Sequence, residues 1–169
     1  MDANGANTTV QSWIASAHTA RLIDFTIEVF GAVEISRVPT EDGGIGHAEL
    51  RIGDTWLLAF DSRPDWPPLP ALLRVWVDDA DATMAAALGA GARVVTPLSD
   101  SAFGQRGGRV RDPLGNIWWI TQHVEDVPPD VMIRRLREPA YAESMRVAQE
   151  TLDRELSGRE TAWSSPPAL

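Results

Sequence analysis

The sequence contains no cysteine and no lysine among its 169 residues. Without cysteine the chain can form no disulfide bond, no thiolate nucleophile and no cysteine-ligated metal site. Without lysine it cannot form a Schiff base with a carbonyl substrate. No apolar run approaches the ~18 residues that predict a membrane span, and the polar segment 1–9 lacks the features of a signal peptide. These absences predict a cytoplasmic protein.

Positive charge is also scarce in this chain. Fifteen arginines stand against 24 acidic residues, which leaves a formal net charge of −9. An acidic surface is repelled by the phosphate backbone, so we predict no nucleic-acid partner. The hydrophobic fraction of 44% is typical of a globular chain. The length allows one compact domain or two small fused modules.

Hydrophobic periodicity predicts the same order of elements twice. The first copy comprises a strand over 10–15, a helix over 19–31 and strands over 33–38, 47–52 and 55–60. Four prolines within 61–70 exclude a regular element and predict a linker. The second copy comprises a strand over 72–77, a helix over 81–89 and strands over 93–96, 109–111 and 117–121. Both copies therefore have the order β-α-β-β-β.

An internal repeat supports this division. Phe30-Gly31-Ala32 aligns with Leu88-Gly89-Ala90, and the turn before Trp56 aligns with the turn before Trp118. This alignment places both tryptophans on the helix side of their sheets. We predict βαβββ modules over 10–61 and 72–124, joined by a Pro-rich linker over 62–71. A helical extension follows over 125–157, and segments 1–9 and 158–169 are expected to be disordered.

Several motifs in these positions resemble the vicinal-oxygen-chelate superfamily, specifically the PhnB-like branch of the glyoxalase/bleomycin-resistance proteins. They are His47-Ala48-Glu49-Leu50, Val77-Asp78-Asp79 and the stretch from Gly104 through Trp118. The resemblance implies an α+β fold, in which two tandem modules form a curved mixed-sheet cleft with a C-terminal helix appended. It also favours a homodimer with shared clefts, although two modules in one chain could form a cleft alone. The superfamily contains isomerases, dioxygenases, transferases and drug-binding proteins, so the fold leaves the activity open.

Metal-dependent members of the superfamily use up to four ligands on the first and last strands of each module. The resemblance places these positions on Gln11, Leu72 and Trp119, and on the strand 55–60, which offers only Leu57, Leu58 and Ala59. One position in four carries a ligand group, so we predict no metal cofactor and lean against an enzyme. The alternative is a relocated divalent metal on Gln11, His47 and Glu49, which would make the protein a lyase or a dioxygenase.

The cleft can instead bind an aromatic molecule. If Trp119 faces the cleft, strand alternation sends Trp118 to the helix side. Flat indoles with a few polar anchors suit a planar ligand, with Trp66 as a possible lid. The predicted ligand-binding residues are Gln11, Trp13, His47, Glu49, Arg74, Trp76, Arg109, Arg111 and Trp119. We therefore expect metal-independent sequestration of an aromatic small molecule or antibiotic, without catalytic residues. Alternatively, the tryptophans only pack the sheets, the arginines form a solvated edge, or the C-terminal helix binds a partner.

Overall fold

A computed structural model describes residues 10–158. The first module comprises β1 (Ser12–Ser16), α1 (Thr19–Phe30), β2 (Val33–Pro39), β3 (Ile45–Ile52) and β4 (Thr55–Asp61). The second comprises β5 (Leu72–Trp76), α2 (Ala80–Gly89), β6 (Arg93–Asp100), β7 (Gln105–Arg111) and β8 (Ile117–His123). Two further helices follow, α3 (Pro129–Arg135) and α4 (Pro139–Ser157). The expected disordered segment 1–9, and 159–169 of the expected tail, lie outside the described residues.

Each module forms its own four-stranded mixed sheet. The strand orders are β1-β4-β3-β2 and β5-β8-β7-β6, with the first pair of each sheet parallel and the others antiparallel. The predicted α+β fold of two βαβββ modules with an appended C-terminal helix is confirmed. Strand β6 extends four residues past its predicted end at Thr96, because an edge strand tolerates a proline such as Pro97.

Local signals explain where the helices of the modules begin and end. Helix α1 ends at Gly31, whose φ of 63° lies in the left-handed region that favours glycine. Its first turn is held by Asp61, whose carboxylate accepts hydrogen bonds from the backbone N–H of Thr19 (2.8 Å) and of Ile45 (2.7 Å). Helix α2 begins at Asp79, whose side chain accepts from the backbone N–H of Ala82.

The two sheets share one hydrophobic core. Ile14 and Leu50 of the first sheet and Trp118 and Ile120 of the second belong to the same buried cluster. Helix α1 joins them, because the ring centroid of Phe30 lies 4.8 Å from that of Trp118. Both sheets therefore turn their helix-bearing faces inward. The opposite face of each sheet, here called its outer face, points away from the shared core.

The turn between β7 and β8 is built around the buried carboxylate of Asp112. It accepts hydrogen bonds from the backbone N–H of Leu114 (2.8 Å) and of Asn116 (2.9 Å), from Asn116 Nδ2 (2.9 Å) and from Trp118 Nε1 (2.9 Å). Gly115 has a φ of 99°, which favours glycine. The motif that begins Asp112-Pro113 thus closes the hairpin and fixes Trp118 in the core.

The structure corrects the predicted orientation of Trp56. This residue lies opposite Arg51, whereas the neighbouring Leu57 lies opposite the buried Leu50. Residues directly opposite in an antiparallel pair share a face, so Trp56 belongs to the outer face and not to the core. The prediction aligned a two-residue turn with a five-residue turn, over 53–54 and 112–116. A one-residue slip of register moves every side chain to the other face.

Helix α4 lies on the outer face of the second sheet through mostly polar contacts. The hydroxyls of Thr96 and Thr151 are 2.7 Å apart, those of Ser99 and Ser144 are 2.8 Å apart, and Glu155 pairs with Arg93 and Arg111 of the sheet. No residue of α4 is buried. Within residues 10–158, no helix is both long and apolar enough to cross a membrane.

Candidate functional site

Four residues of the predicted set meet on the outer face of the second sheet. Trp119 lies opposite Arg109 of β7 and beside Arg74 of β5. The guanidinium carbons of Arg74 and Arg109 lie 4.4 Å and 4.6 Å from the centroid of the Trp119 ring, and that of Arg74 also lies 4.3 Å from the ring of Trp76. These distances are typical of cation–π contacts. We call Arg74, Trp76, Arg109 and Trp119 the Arg–Trp cluster.

A glycine makes room for the Trp119 indole. Gly107 lies opposite Thr121, which is two residues along β8 from Trp119 and on the same face of the sheet. A Cβ at position 107 would be 2.9 Å from the carbonyl oxygen of Ile120 and 3.1 Å from Trp119 Nε1. Any side chain there would displace the indole or the strand. Sequence analysis assigned this glycine no role in the site.

Three residues of the Arg–Trp cluster, Arg74, Arg109 and Trp119, form part of the floor of a pocket of about 430 Å³ whose roof is α4. This volume is within the usual range for small-molecule sites. The floor includes Arg74, Thr96, Gln105, Gly107, Arg109, Trp119 and Thr121, and the roof includes Ser144, Met145, Ala148 and Gln149. Sequence analysis predicted a helical extension over 125–157 but did not predict that α4 roofs this pocket.

Arg109 is buried, with 8% of its surface exposed, and burial lowers its pKa. Its Nη1 donates to Thr96 Oγ1 (3.1 Å) and to the carbonyl oxygen of Ala148 in α4 (2.8 Å). Its Nε and Nη2 donate no hydrogen bond to any described residue, and no carboxylate of the described residues pairs with it. An arginine keeps its charge in proteins, so the pocket contains a buried cation without a counterion.

Arg74 is the more exposed arginine of the cluster. Its Nε donates to Thr121 Oγ1 (3.1 Å) and its Nη2 to Gln105 Oε1 (2.7 Å), and burial of part of the group lowers its pKa. Both partners are neutral, so Arg74 likewise has no carboxylate partner within residues 10–158. The two arginines of the Arg–Trp cluster therefore give its surface a positive charge.

Arg111 was predicted with this group but has a different set of partners. Its guanidinium donates to Glu155 of α4 and to the carbonyl oxygen of Gly115. Burial opposes ionisation of Glu155, but its hydrogen bonds to Arg93 and Arg111 outweigh that penalty and lower its pKa. Arg111 thus attaches α4 to the sheet.

The predicted residues of the first module form a second group. The rings of Trp13 and His47 are 5.4 Å apart, and His47 Nε2 lies 3.5 Å from Glu49 Oε1. The other oxygen of Glu49 accepts from Ser36 Oγ at 2.9 Å. Gln11 immediately precedes β1. Half of the Trp13 surface is exposed, so this face is open to solvent.

The structure does not bring the two groups together. Within residues 10–158, no hydrogen bond, ion pair or ring contact joins Trp13, His47 or Glu49 to the Arg–Trp cluster. The reason is the shared core, which separates the outer faces of the two sheets. The predicted lid residue, Trp66, packs against Phe60 at 6.1 Å and therefore belongs with the first group.

The side chains present do not fit the metal site typical of the superfamily. No three His, Asp or Glu side chains converge within residues 10–158. The positions carried over to β5, β8 and β4 hold Leu72, Trp119 and apolar residues, none of which is a metal ligand. Glu49, in the relocated alternative, already bonds to Ser36 and pairs with His47.

A second cavity, of about 510 Å³, lies where the modules meet. It is lined by residues of both modules, among them Phe30, Trp56, Leu73, Trp76 and Trp118. Sequence analysis missed it because the misaligned repeat assigned Trp56 to the core. The correct register would have placed Trp56 at a surface.

Comparison with known proteins agrees with this architecture. Residues 8–120 match the family model described as Glyoxalase/Bleomycin resistance protein/Dioxygenase superfamily. The uncharacterized protein Mb0911c of Mycobacterium bovis is 38% identical over 122 residues, covering 66% of this chain and 80% of that protein. The crystal structure of TioX from Micromonospora sp. ML1 is 29% identical, covering 69% of this chain and 99% of that chain, with a TM-score of 0.58.

A PhnB protein from Bacillus cereus, described as a putative 3-demethylubiquinone-9 3-methyltransferase, has a TM-score of 0.54 at 15% identity. It covers 68% of this chain and 99% of its own, a likeness that shows the fold alone. The family match extends over most of both modules. The chain belongs to the glyoxalase/bleomycin resistance protein/dioxygenase superfamily.

Proposed function

We propose that this protein binds a planar aromatic small molecule, an antibiotic among the candidates, in the pocket beneath α4 and sequesters it without chemical change. The observation that carries the proposal is that Arg74, Arg109 and Trp119 of the Arg–Trp cluster lie together on the pocket floor. Guanidinium planes and indole rings are good surfaces for flat ligands, and one such contact contributes roughly 0.5–2 kcal/mol. Phe103 and Met145 add apolar lining to the same pocket.

The polar lining of the pocket supports binding more than catalysis. The charged residues that line it are Arg74 and Arg109, and the remaining polar groups are hydroxyls and amides. No His, Asp or Glu among the described residues lines it. General acid–base catalysis needs a group that exchanges protons near neutral pH, and arginine does not do so.

The proposal includes a cytoplasmic homodimer. Because α4 covers much of the outer face of the second sheet, a second copy would associate through the apolar residues that stay exposed on the edge strands β1 and β5. Trp13, Leu72 and Trp76 are each at least half exposed, and exposed apolar residues at facing edges favour association. Sedimentation of the full chain at micromolar concentration is expected to give a dimer, and a monomer would refute this part.

The binding proposal is tested by titrating the full chain with planar aromatic compounds, several antibiotics among them. Binding is followed through the indole N–H signal of Trp119 in NMR spectra, which is identified by its absence from the Trp119→Phe variant. A ligand in the pocket shifts this signal and leaves the chemical structure of the ligand unchanged. Turnover of a bound compound, or ligands that move only the signals of other tryptophans, would contradict the proposal. Trp13→Phe is the matched control, since Trp13 lies on the other outer face.

A further inference from the structure

The arginines of this chain differ in how their charge is compensated. Several of them form ion pairs with carboxylates, namely Arg37, Arg93, Arg106, Arg111, Arg135 and Arg146. Arg109 is the one arginine of the described residues that is buried, and it has no such partner. Arg109 is therefore the arginine that would gain most from a counterion, and it has none among the described residues.

This arrangement is costly in the free protein. A cation removed from water loses hydration that neutral hydroxyls and carbonyls replace only in part. The chain has 24 acidic residues, yet no Asp or Glu of the described residues lines the pocket. An anion in the pocket would recover the lost electrostatic energy through charge-assisted hydrogen bonds.

The pocket also offers the donors that an anion needs. Arg109 Nε and Nη2 are without acceptors among the described residues. Trp119 Nε1, beside Gly107, likewise donates no hydrogen bond to a described residue. Arg74 adds a second positive charge on the other side of the Trp119 strand. Hydroxyl and amide groups complete the polar lining.

We propose, on the basis of the function proposed above, that the ligand is an aromatic carboxylate whose anionic group binds Arg109, with Arg74 as a second cation and the aromatic body against the Arg–Trp cluster. Arg109 is then the residue that selects for charge. Arg74, which is more exposed, strengthens binding of any anion that enters the pocket.

The test uses a pair of probes with the same ring, 2-naphthoate and its neutral amide, 2-naphthamide. Calorimetry with the full chain at neutral pH is expected to show the carboxylate binding at least about tenfold more tightly, because hydrogen bonds between charged partners are markedly stronger than neutral ones. The preference should shrink as salt is added. Shifts of the Trp119 indole N–H signal show whether each probe enters this pocket.

Three variants test which arginine is responsible for the preference for the carboxylate. Arg109→Met should remove the preference for the carboxylate, and Arg74→Met should reduce it. Arg146→Met makes the same change in net charge on the exposed side of α4 and should leave the preference unchanged. Arg74 is exposed, so its variant gives a result even where the buried Arg109→Met fails to fold.

Each outcome decides between the two proposals. Equal binding of both probes at Trp119, or a preference for the amide, overturns the anionic ligand and leaves the binding function in place. A carboxylate preference that survives both Arg74→Met and Arg109→Met shows that the anion binds elsewhere and also overturns it. Failure of both probes to bind counts against the pocket itself and so against both proposals.

Discussion

The outer faces of the two modules have the same backbone plan and opposite chemistry. In the first sheet Glu49 lies opposite Leu58 beside β1, and in the second sheet Arg109 lies opposite Trp119 beside β5. The corresponding inner positions are alike, with Leu50 opposite Leu57 and Val110 opposite Trp118, all buried. Both modules have apolar residues at these core positions, whereas the matching outer-face positions differ in charge and in side-chain size.

The modules differ in exposure as well as in charge. The face that bears Trp13, His47 and Glu49 is open to solvent, whereas Arg74, Arg109 and Trp119 line the pocket beneath α4. A charge in water is well hydrated. A charged side chain beneath α4 is partly shielded from water, so it interacts more strongly with a ligand in the same pocket. The comparison therefore supports the proposal that the ligand binds to the second module.

The largest effect on stability is expected in the turn between β7 and β8, and a much smaller one in the turn between β3 and β4. Asp112→Ala removes a carboxylate that accepts four hydrogen bonds, including that of the buried Trp118 Nε1. Buried donors left without partners cost about 1–3 kcal/mol each, so we expect the free energy of unfolding to fall by roughly 3–5 kcal/mol in urea titrations. The matched change in the first turn, Asp54→Ala, removes an exposed carboxylate whose one donor among the described residues is Thr55 Oγ1. It should shift the free energy of unfolding by at most about 0.5 kcal/mol. Equal effects would mean that the two turns have the same structural role.

These turns also show how much the sequence could predict. Alternation and glycine positions located the strands and helices, since both depend on neighbouring residues. The orientation of Trp56 was wrong because aligning the glycines hid a difference in turn length. The contacts of Trp119 with Arg74 and Arg109 follow from alternation on adjacent strands. The separation of His47 and Glu49 from that cluster could not be predicted, because it depends on which sheet faces meet in the core.

The roof over the second module is expected to depend on pH. Glu155 has a pKa below its ordinary value of 4.5 because of its hydrogen bonds to Arg93 and Arg111. A lowered folded-state pKa stabilises the docked helix above the ordinary value, and this stabilisation is lost as the pH falls through the lower, folded-state pKa. Protection factors of the α4 amides, which are corrected for the intrinsic pH dependence of exchange, should therefore be high near neutral pH and fall in acid below about pH 4.5.

Glu155→Gln should make α4 exchange faster at neutral pH as well. Hydrogen bonds to a charged group contribute roughly 1.5–3 kcal/mol, so the loss should be measurable without unfolding the sheets. Glu150→Gln is the control, because Glu150 pairs with Arg146 on the exposed side of the same helix, and such pairs contribute little. If both variants behave alike, the ion pairs of Glu155 do not hold the roof in place.

Trp119→Leu tests whether binding belongs to the second module. The variant loses two cation–π contacts and the indole surface of the pocket, so we expect affinity for 2-naphthoate to fall about tenfold, or ~1.4 kcal/mol. Trp13→Leu removes the indole of the first module and should leave the affinity unchanged. The reverse pattern would place the binding site on the open face and refute the assignment made here.

The smallest expected effect concerns His47. The metal alternative needs this side chain as a ligand, but the carboxylate of Glu49 beside it already accepts from Ser36, and no third His, Asp or Glu converges there within residues 10–158. We expect His47→Ala to bind 2-naphthoate as the parent chain does, because His47 does not line the pocket beneath α4. We also expect the parent chain and the variant to retain equally little Ni²⁺, Zn²⁺ or Fe²⁺ after dialysis. One equivalent of metal in the parent chain that is absent from the variant would instead make the first module the active one and reverse the comparison, because a lyase or dioxygenase would then have its centre on the open face.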